Sequence, residues 1–345
     1  MNHREDWPLL PSLHLALRNL DPAFTPAQAL RSLVQDGFDR LPMPGSGATL
    51  QRWQALAAVA QHDLALAKLY EGHTDALAIM NELGAEPRDI RSTWGMWAAE
   101  APEGRALIDA CRDWEVVLQG AKSWCSGASN LDHGLLTAWF ADGRGPQLVR
   151  VAMNQAGVRS DAHGWKAVGM VGSDSINVTF ENARGELVGA PGDYLFRPGF
   201  WQGGAGVAAC WYGGALTLGQ ALADATKKSP ASARSAFRLA SLGKVDLSLQ
   251  ATVAVLRDTA DWIDSHPLED ASAVALRARL AAEMCAQQVL HEAGRALGAG
   301  AFCRDARFAR MAADLPVFVR QSHAERDFAA LGDRVATNEG MSWAL

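Results

Sequence analysis

Nothing in the spacing of the five cysteines suggests a bridge or a metal. Cys111, Cys125, Cys210, Cys285 and Cys303 are odd in number, far apart and free of any CxxC pair. The chain therefore reads as a reduced protein. No two His or Cys stand at metal-ligand spacing, so no metal site is expected. His14, His62, His73 and His163 are isolated and read as structural. Positive charge is not concentrated either. Lys and Arg number 32 against 38 Asp and Glu, a net charge of -6. That argues against a nucleic-acid partner, since phosphate binding needs a dense basic surface. No uninterrupted apolar run reaches about 18 residues, so no spanning helix is expected. The first six residues lead into no apolar core of a leader, so no signal peptide is expected, and the expected location is cytoplasmic. Internal repeats and low-complexity segments are missing as well.

What is present is an ordinary globular composition. Of 345 residues, 49% are apolar and 20% charged, enough chain for two or three domains. Residues 8–90 read as helical. Thr25 is a candidate N-cap with Pro26 in the first turn and Gly37 as a stop. Residues 38–47 form a Pro/Gly loop, after which Thr49 is read as the cap of a long Ala/Leu-rich segment of buried helices. Residues 91–192 change character. Short runs at 114–118, 134–140, 147–153 and 175–180 are separated by turn-forming residues, which predicts a small antiparallel sheet domain. Residues 199–332 are helical again, with long amphipathic segments at 247–265 and 272–299 and Pro230 and Pro267 in linkers. Twelve tryptophans suit a protein that encloses flat ligands.

The chemistry is sought at residues 113–130. Gly120 is read as a turn after a β-branched and aromatic run. Trp124 and Ser126 then stand two apart, and in a strand they share one face. They would offer an aromatic wall and a hydroxyl to one object, such as a planar heteroaromatic cofactor. A hairpin with a half-buried Trp explains the same residues.

Gly120-Ala121-Lys122-Ser123-Trp124-Cys125-Ser126 resembles the G-x-K-x-W-[ICS]-[TS] signature of the acyl-CoA dehydrogenase family of flavoproteins. Gly169-Met170-Val171-Gly172-Ser173-Asp174-Ser175 resembles that family's G-M-x-G-[ST]-x-[ST] turn. Near the C-terminus Gly298, Phe302, Asp305, Arg310 and Asp314 keep the register of a further family signature, while Arg295, Ala299 and Ala301 depart from it. The resemblance covers nearly the whole chain and is diffuse in the first ninety residues. It implies an α+β fold: an N-terminal helical domain (1–90), a middle β-barrel-like domain (91–194) and a C-terminal four-helix bundle (195–345). It also implies FAD, an acyl-CoA thioester as small-molecule substrate, α,β-dehydrogenation, and a homodimer or homotetramer holding FAD between subunits. Trp124 would cover the flavin and Ser126 would meet its N5. The backbone of Ala98 and Ala99 would serve the ring edge. Gly298 would lie in the cofactor-binding signature, and Arg295 and Arg326 would reach the cofactor from the partner.

The departures are as informative. The family's usual catalytic glutamate falls on Ser322, followed by His323, and serine cannot act unaided as the base for an α-proton. His323 is a candidate base through its near-neutral pKa. Glu269, Glu283 and Glu292 are alternatives that read more simply as a solvated or salt-bridged face. The first flavin motif is reduced to Ala98-Ala99-Glu100-Ala101-Pro102-Glu103-Gly104, and its pyrophosphate-binding Gly-Ser-Asp is missing. The R-x-x-F-G arginine motif is absent near 227–244. These losses leave open a flavin monooxygenase of the same fold, or a member that keeps the scaffold without catalysis.

Overall fold

The computed structural model describes residues 8–87, 89–100, 104–161, 165–230, 235–337 and 343, and in it helices precede and follow one block of strands. The predicted structural His163 lies outside the described residues. Four helices come first: α1 (Leu10–Asn19), α2 (Pro26–Gln35), α3 (Thr49–His62) and α4 (Leu64–Glu82). α2 begins as its sequence predicts. The Thr25 hydroxyl accepts from Gln28 N, and the Gln28 side chain accepts from Thr25 N, with Pro26 in the first turn. Thr49 does not cap α3. Ala48 holds the cap position, and the buried Thr49 hydroxyl donates to Asp264, 215 residues on. The apolar segment that follows breaks at Asp63. Its extended backbone ends α3, and its carboxylate accepts from Leu66 N to start α4.

Seven strands come next: β1 (Trp94–Trp97), β2 (Ala106–Arg112), β3 (Glu115–Cys125), β4 (His133–Phe140), β5 (Gln147–Ala152), β6 (Val158–Asp161) and β7 (Ile176–Val188). β4 pairs with β2, β2 with β3, β3 with β7, β7 with β5, and β5 again with β4. Five strands thus close into a barrel, which leaves no free edge in that ring. β1 lies outside it on β4, and β6 on β7. Alternate residues such as Val116, Leu118, Val149, Val178 and Phe180 fill the interior. Gly120 is not the predicted turn. It sits inside β3 at φ 94°, paired with Ala106 and Phe180, and a Cβ there would stand 2.3 Å from the Arg105 carbonyl oxygen. The chain reverses at Asp113 instead, at φ 57°.

The remaining helices are α5 (Asp193–Phe196), α6 (Gly199–Gly204), α7 (Val207–Lys228), α8 (Ala236–Ser265), α9 (Ser272–Leu297), α10 (Ala299–Arg304), α11 (Ala306–Phe318) and α12 (Glu325–Thr337). α7, α8, α9 and α11 pack side by side. Gly213 and Gly219 let α7 approach neighbours closely, the first against the Ala57 backbone of α3 and the second against Val245 and Leu249 of α8. α8 buries little besides Val245, Thr252, Leu256, Thr259, Ala260 and Ile263, and leaves Phe237 and Leu247 exposed. By length and composition alone it could cross a membrane.

Candidate functional site

The end of β3 is where the sequence places its chemistry, and the alternation argument for Trp124 and Ser126 fails there. The pairing of β3 with β7 slips between Lys122 and Cys125. Trp124 adopts φ 59°, and Ser126 lies in the turn beyond the strand. A left-handed backbone costs an L-residue about 1–2 kcal/mol. Here it turns an indole outward, leaving it 52% exposed, whereas Ser126 is only 8% exposed. A bulky side chain held at positive φ and half bare to solvent marks a functional candidate, because such strain collects at binding and catalytic sites.

Several elements fix this turn. The Trp97 indole on β1 donates from Nε1 to the Ser126 carbonyl at 3.0 Å. It fits because both Gly95 and Gly134 lack a Cβ; one at Gly134 would stand 2.2 Å from Trp97 Cζ3. Gly127 N donates to the Ser173 and Asp174 carbonyls. The Asp174 carboxylate accepts from Ser129 N and from the Asn130 amide. From the helical side, a Cβ at Gly127 would come within 3.0 Å of Leu69 on α4. Ser126 Oγ lies 2.8 Å from Ser175 Oγ, which lies 2.8 Å from Ser173 Oγ. Ser173 in turn donates to the Met170 carbonyl at 2.7 Å. Met170 N donates to Asp314 on α11, so two of the sequence signatures meet in space. Burial pushes the Asp314 carboxyl up, against the opposing pull of that Met170 bond.

Ala98 and Ala99 follow β1, half-buried and exposed respectively. They belong to the same neighbourhood, because Trp97 bonds the turn and Glu100 bonds β3. The buried Lys122 ammonium donates to Glu100 at 3.2 Å and to Thr137 at 2.8 Å. Burial lowers its pKa, with the Glu100 carboxylate opposing. Glu100, a loose match in the sequence, is thus an anchor for this segment. Ala101, Pro102 and Glu103 lie outside the described residues.

The other candidates lie on the later helices and the loops between them. Ser322 is buried; its hydroxyl accepts from Ala324 N at 3.1 Å and faces Asp327 Oδ2 at 3.5 Å. Asp327 also accepts from His323 N, and the exposed His323 ring stands 3.4 Å from its other oxygen. Arg279 holds this loop through the Gln321 carbonyl. Arg295 is exposed beside His291, Arg326 is exposed on α12, and Gly298 turns the chain from α9 to α10 at φ 68°. Asp305 caps α11 through Phe308 N. Among the described residues, no hydrogen bond or ion pair joins Ser322, His323, Arg295, Gly298 or Arg326 to the Trp124 turn. Glu283 pairs with Arg320 and Glu292 with Lys244, but both glutamates are buried rather than on a solvated face, and Glu292 is held below its usual pKa by its Lys244 and Ser241 bonds. A cleft of about 600 Å³ lies at the opposite end of β3, between Arg112, Val116, Arg150 and Arg184, and contains none of the predicted site residues. The sequence reading missed the Ser173–Ser175 pair as more than a turn. The signal was two hydroxyls at i and i+2, visible but without a partner until the fold brings Ser126 beside them.

TdsC of Paenibacillus sp. A11-2, a dibenzothiophene monooxygenase, is similar in a complex with FMN and indole: 19% identity over 95% of this chain and 94% of that one, TM-score 0.77. So is methanesulfinate monooxygenase MsuC of Pseudomonas fluorescens, at 19% identity over 97% and 96%, TM-score 0.74. A nitrososynthase of Micromonospora carbonacea var. africana matches at 15% identity over 96% and 94%, TM-score 0.76. This chain has their fold. It is a mixed α+β arrangement. No protein-family model matches the sequence, and no curated protein matches it.

Proposed function

We propose that the protein is a flavin-dependent monooxygenase acting on a small molecule, with FMN as cofactor, rather than an FAD-dependent acyl-CoA dehydrogenase. The observation that carries this reading is at Ser322. The register of the family resemblance puts the dehydrogenase base there. The carboxylate that faces it, Asp327, is committed to His323 N, the His323 ring and the Ser322 hydroxyl. A carboxylate so engaged is a poor base for an α-proton. The names of the similar structures, two monooxygenases and one complex with FMN, favour the same reading. The missing Gly-Ser-Asp and R-x-x-F-G motifs favour FMN, which has neither the adenosine nor the second phosphate that those motifs serve.

The residues present fit a flavin ring. Trp124 supplies an outward aromatic face, Ser126 a hydroxyl, and Ala98 and Ala99 a backbone edge nearby. A bound reduced flavin supplies the electrons that split dioxygen, one oxygen atom entering the substrate and the other leaving as water. The chain's part is to position: Trp97 and the Gly127 bonds hold the turn, and Lys122 with Glu100 holds the adjoining segment. The exposed apolar side of α8 supports a homo-oligomer, in which Arg295 and Arg326 could face a partner's site. The test is anaerobic titration of the purified protein with FMN and FAD, then admission of oxygen. FMN binding tighter than FAD binding, with no bleaching of the flavin by acyl-CoA, is expected. Rapid bleaching by acyl-CoA would overturn the monooxygenase reading.

A further inference from the structure

We infer that Ser173 and Ser175 are positioning residues that fix the Ser126 hydroxyl as a hydrogen-bond acceptor toward the cofactor and so bias the site toward reduced flavin. The inference rests on the flavin reading above, together with the family resemblance, which would set the N5 edge of the ring against Ser126. It follows from counting protons, since each serine hydroxyl has one to donate.

The Met170 carbonyl can only accept, so Ser173 spends its proton there. The 2.8 Å contact between Ser173 and Ser175 must then use the proton of Ser175. With that proton spent, the 2.8 Å contact between Ser175 and Ser126 must use the proton of Ser126. The chain therefore has one direction, from Ser126 inward to the Met170 carbonyl. Its far end is pinned, because Met170 N donates to the buried Asp314. What Ser126 has left for a ligand is a lone pair. Oxidised flavin presents a bare N5, which also offers only a lone pair. Reduced flavin presents N5–H, which donates. The ordered chain thus matches one redox form and opposes the other. Without Ser175 the Ser126 hydroxyl is free to rotate and donate to oxidised N5.

The experiment measures dissociation constants of oxidised and of reduced FMN under anaerobic conditions, for wild type, Ser175→Ala, Ser175→Thr and Ser173→Ala. Wild type is expected to bind reduced FMN more tightly than oxidised. Ser175→Ala should shrink that ratio about tenfold, the scale of one neutral hydrogen bond. This equals a fall of about 30 mV in the potential of the bound two-electron couple. Ser175→Thr keeps a hydroxyl and should keep the ratio. Ser173→Ala frees the Ser175 proton, so it should move the ratio the same way by less, and it serves if Ser175→Ala does not fold. A ratio within twofold of wild type in both alanine variants, or a wider one, overturns the hydroxyl chain while leaving flavin binding intact. A wild type that binds neither form of FMN overturns the flavin reading and this inference with it.

Discussion

Replacing Gly134 with alanine should unseat Trp97 and, through it, the turn that presents Trp124. The added methyl would stand 2.2 Å from Trp97 Cζ3 and 2.8 Å from both Cε3 and Cη2, against about 3.5–4.0 Å for an ordinary carbon contact. The indole must therefore move by more than 1 Å, and Gly95 on β1 blocks it from another side, with 2.5 Å between a notional Cβ and Trp97 Nε1. Overpacking of this kind costs about 1–3 kcal/mol. A shift of that size also breaks the 3.0 Å bond from Nε1 to the buried Ser126 carbonyl, adding about 1 kcal/mol. We expect Gly134→Ala to lose about 2–4 kcal/mol in urea unfolding and to weaken FMN binding. Trp97→Leu removes the outer ring and should cost a comparable amount through the cavity it leaves. The two changes share one volume, so the double variant should be at least about 1 kcal/mol more stable than the sum of the singles predicts. Additivity to within about 0.5 kcal/mol would refute the packing argument.

Ser322→Ala should lower stability by about 1 kcal/mol through the lost bond from Ala324 N, and Ser322→Glu, pressed against Asp327, should cost more; melts indistinguishable from wild type would deny that bond its contribution. Asp132 accepts two bonds from Arg31 and two from Thr93. Burial pushes its carboxyl up, but the Arg31 and Thr93 bonds outweigh that and hold its pKa below the usual value. The stability it contributes is therefore present above the unfolded-state pKa of about 4 and is lost as pH falls through the lower folded value. Asp132→Asn should weaken the protein at neutral pH and flatten its acid unfolding below about pH 4; an unchanged acid slope contradicts this. Leu247, 71% exposed on α8, should lie in a subunit contact, so Leu247→Glu should shift sedimentation toward monomer, and a monomeric wild type at micromolar concentration would rule the contact out.

The sequence alone determined the order of helical, strand and helical regions and the start of α2. Those features are written in local periods and caps: a 3-to-4 apolar spacing, a Thr–Pro–Gln box, short β-branched runs between turn residues. It also pointed to Trp124 and Ser126, but for a reason that does not hold. Strand parity requires regular pairing, and the slip between Lys122 and Cys125 depends on β7, some fifty residues away. Gly120 was legible as conformationally special, yet whether a glycine makes a turn or admits a neighbouring backbone depends on what approaches it, here Arg105. Thr49 looked like a cap because its partner, Asp264, lies more than two hundred residues later. Only the tertiary structure decided that Glu100 steadies a buried lysine, that Asp314 holds Met170, and that Ser126, Ser173 and Ser175 form one chain of hydroxyls. Each is a contact between distant segments, and a pairwise distance of 3 Å across a fold has no period in the sequence to announce it.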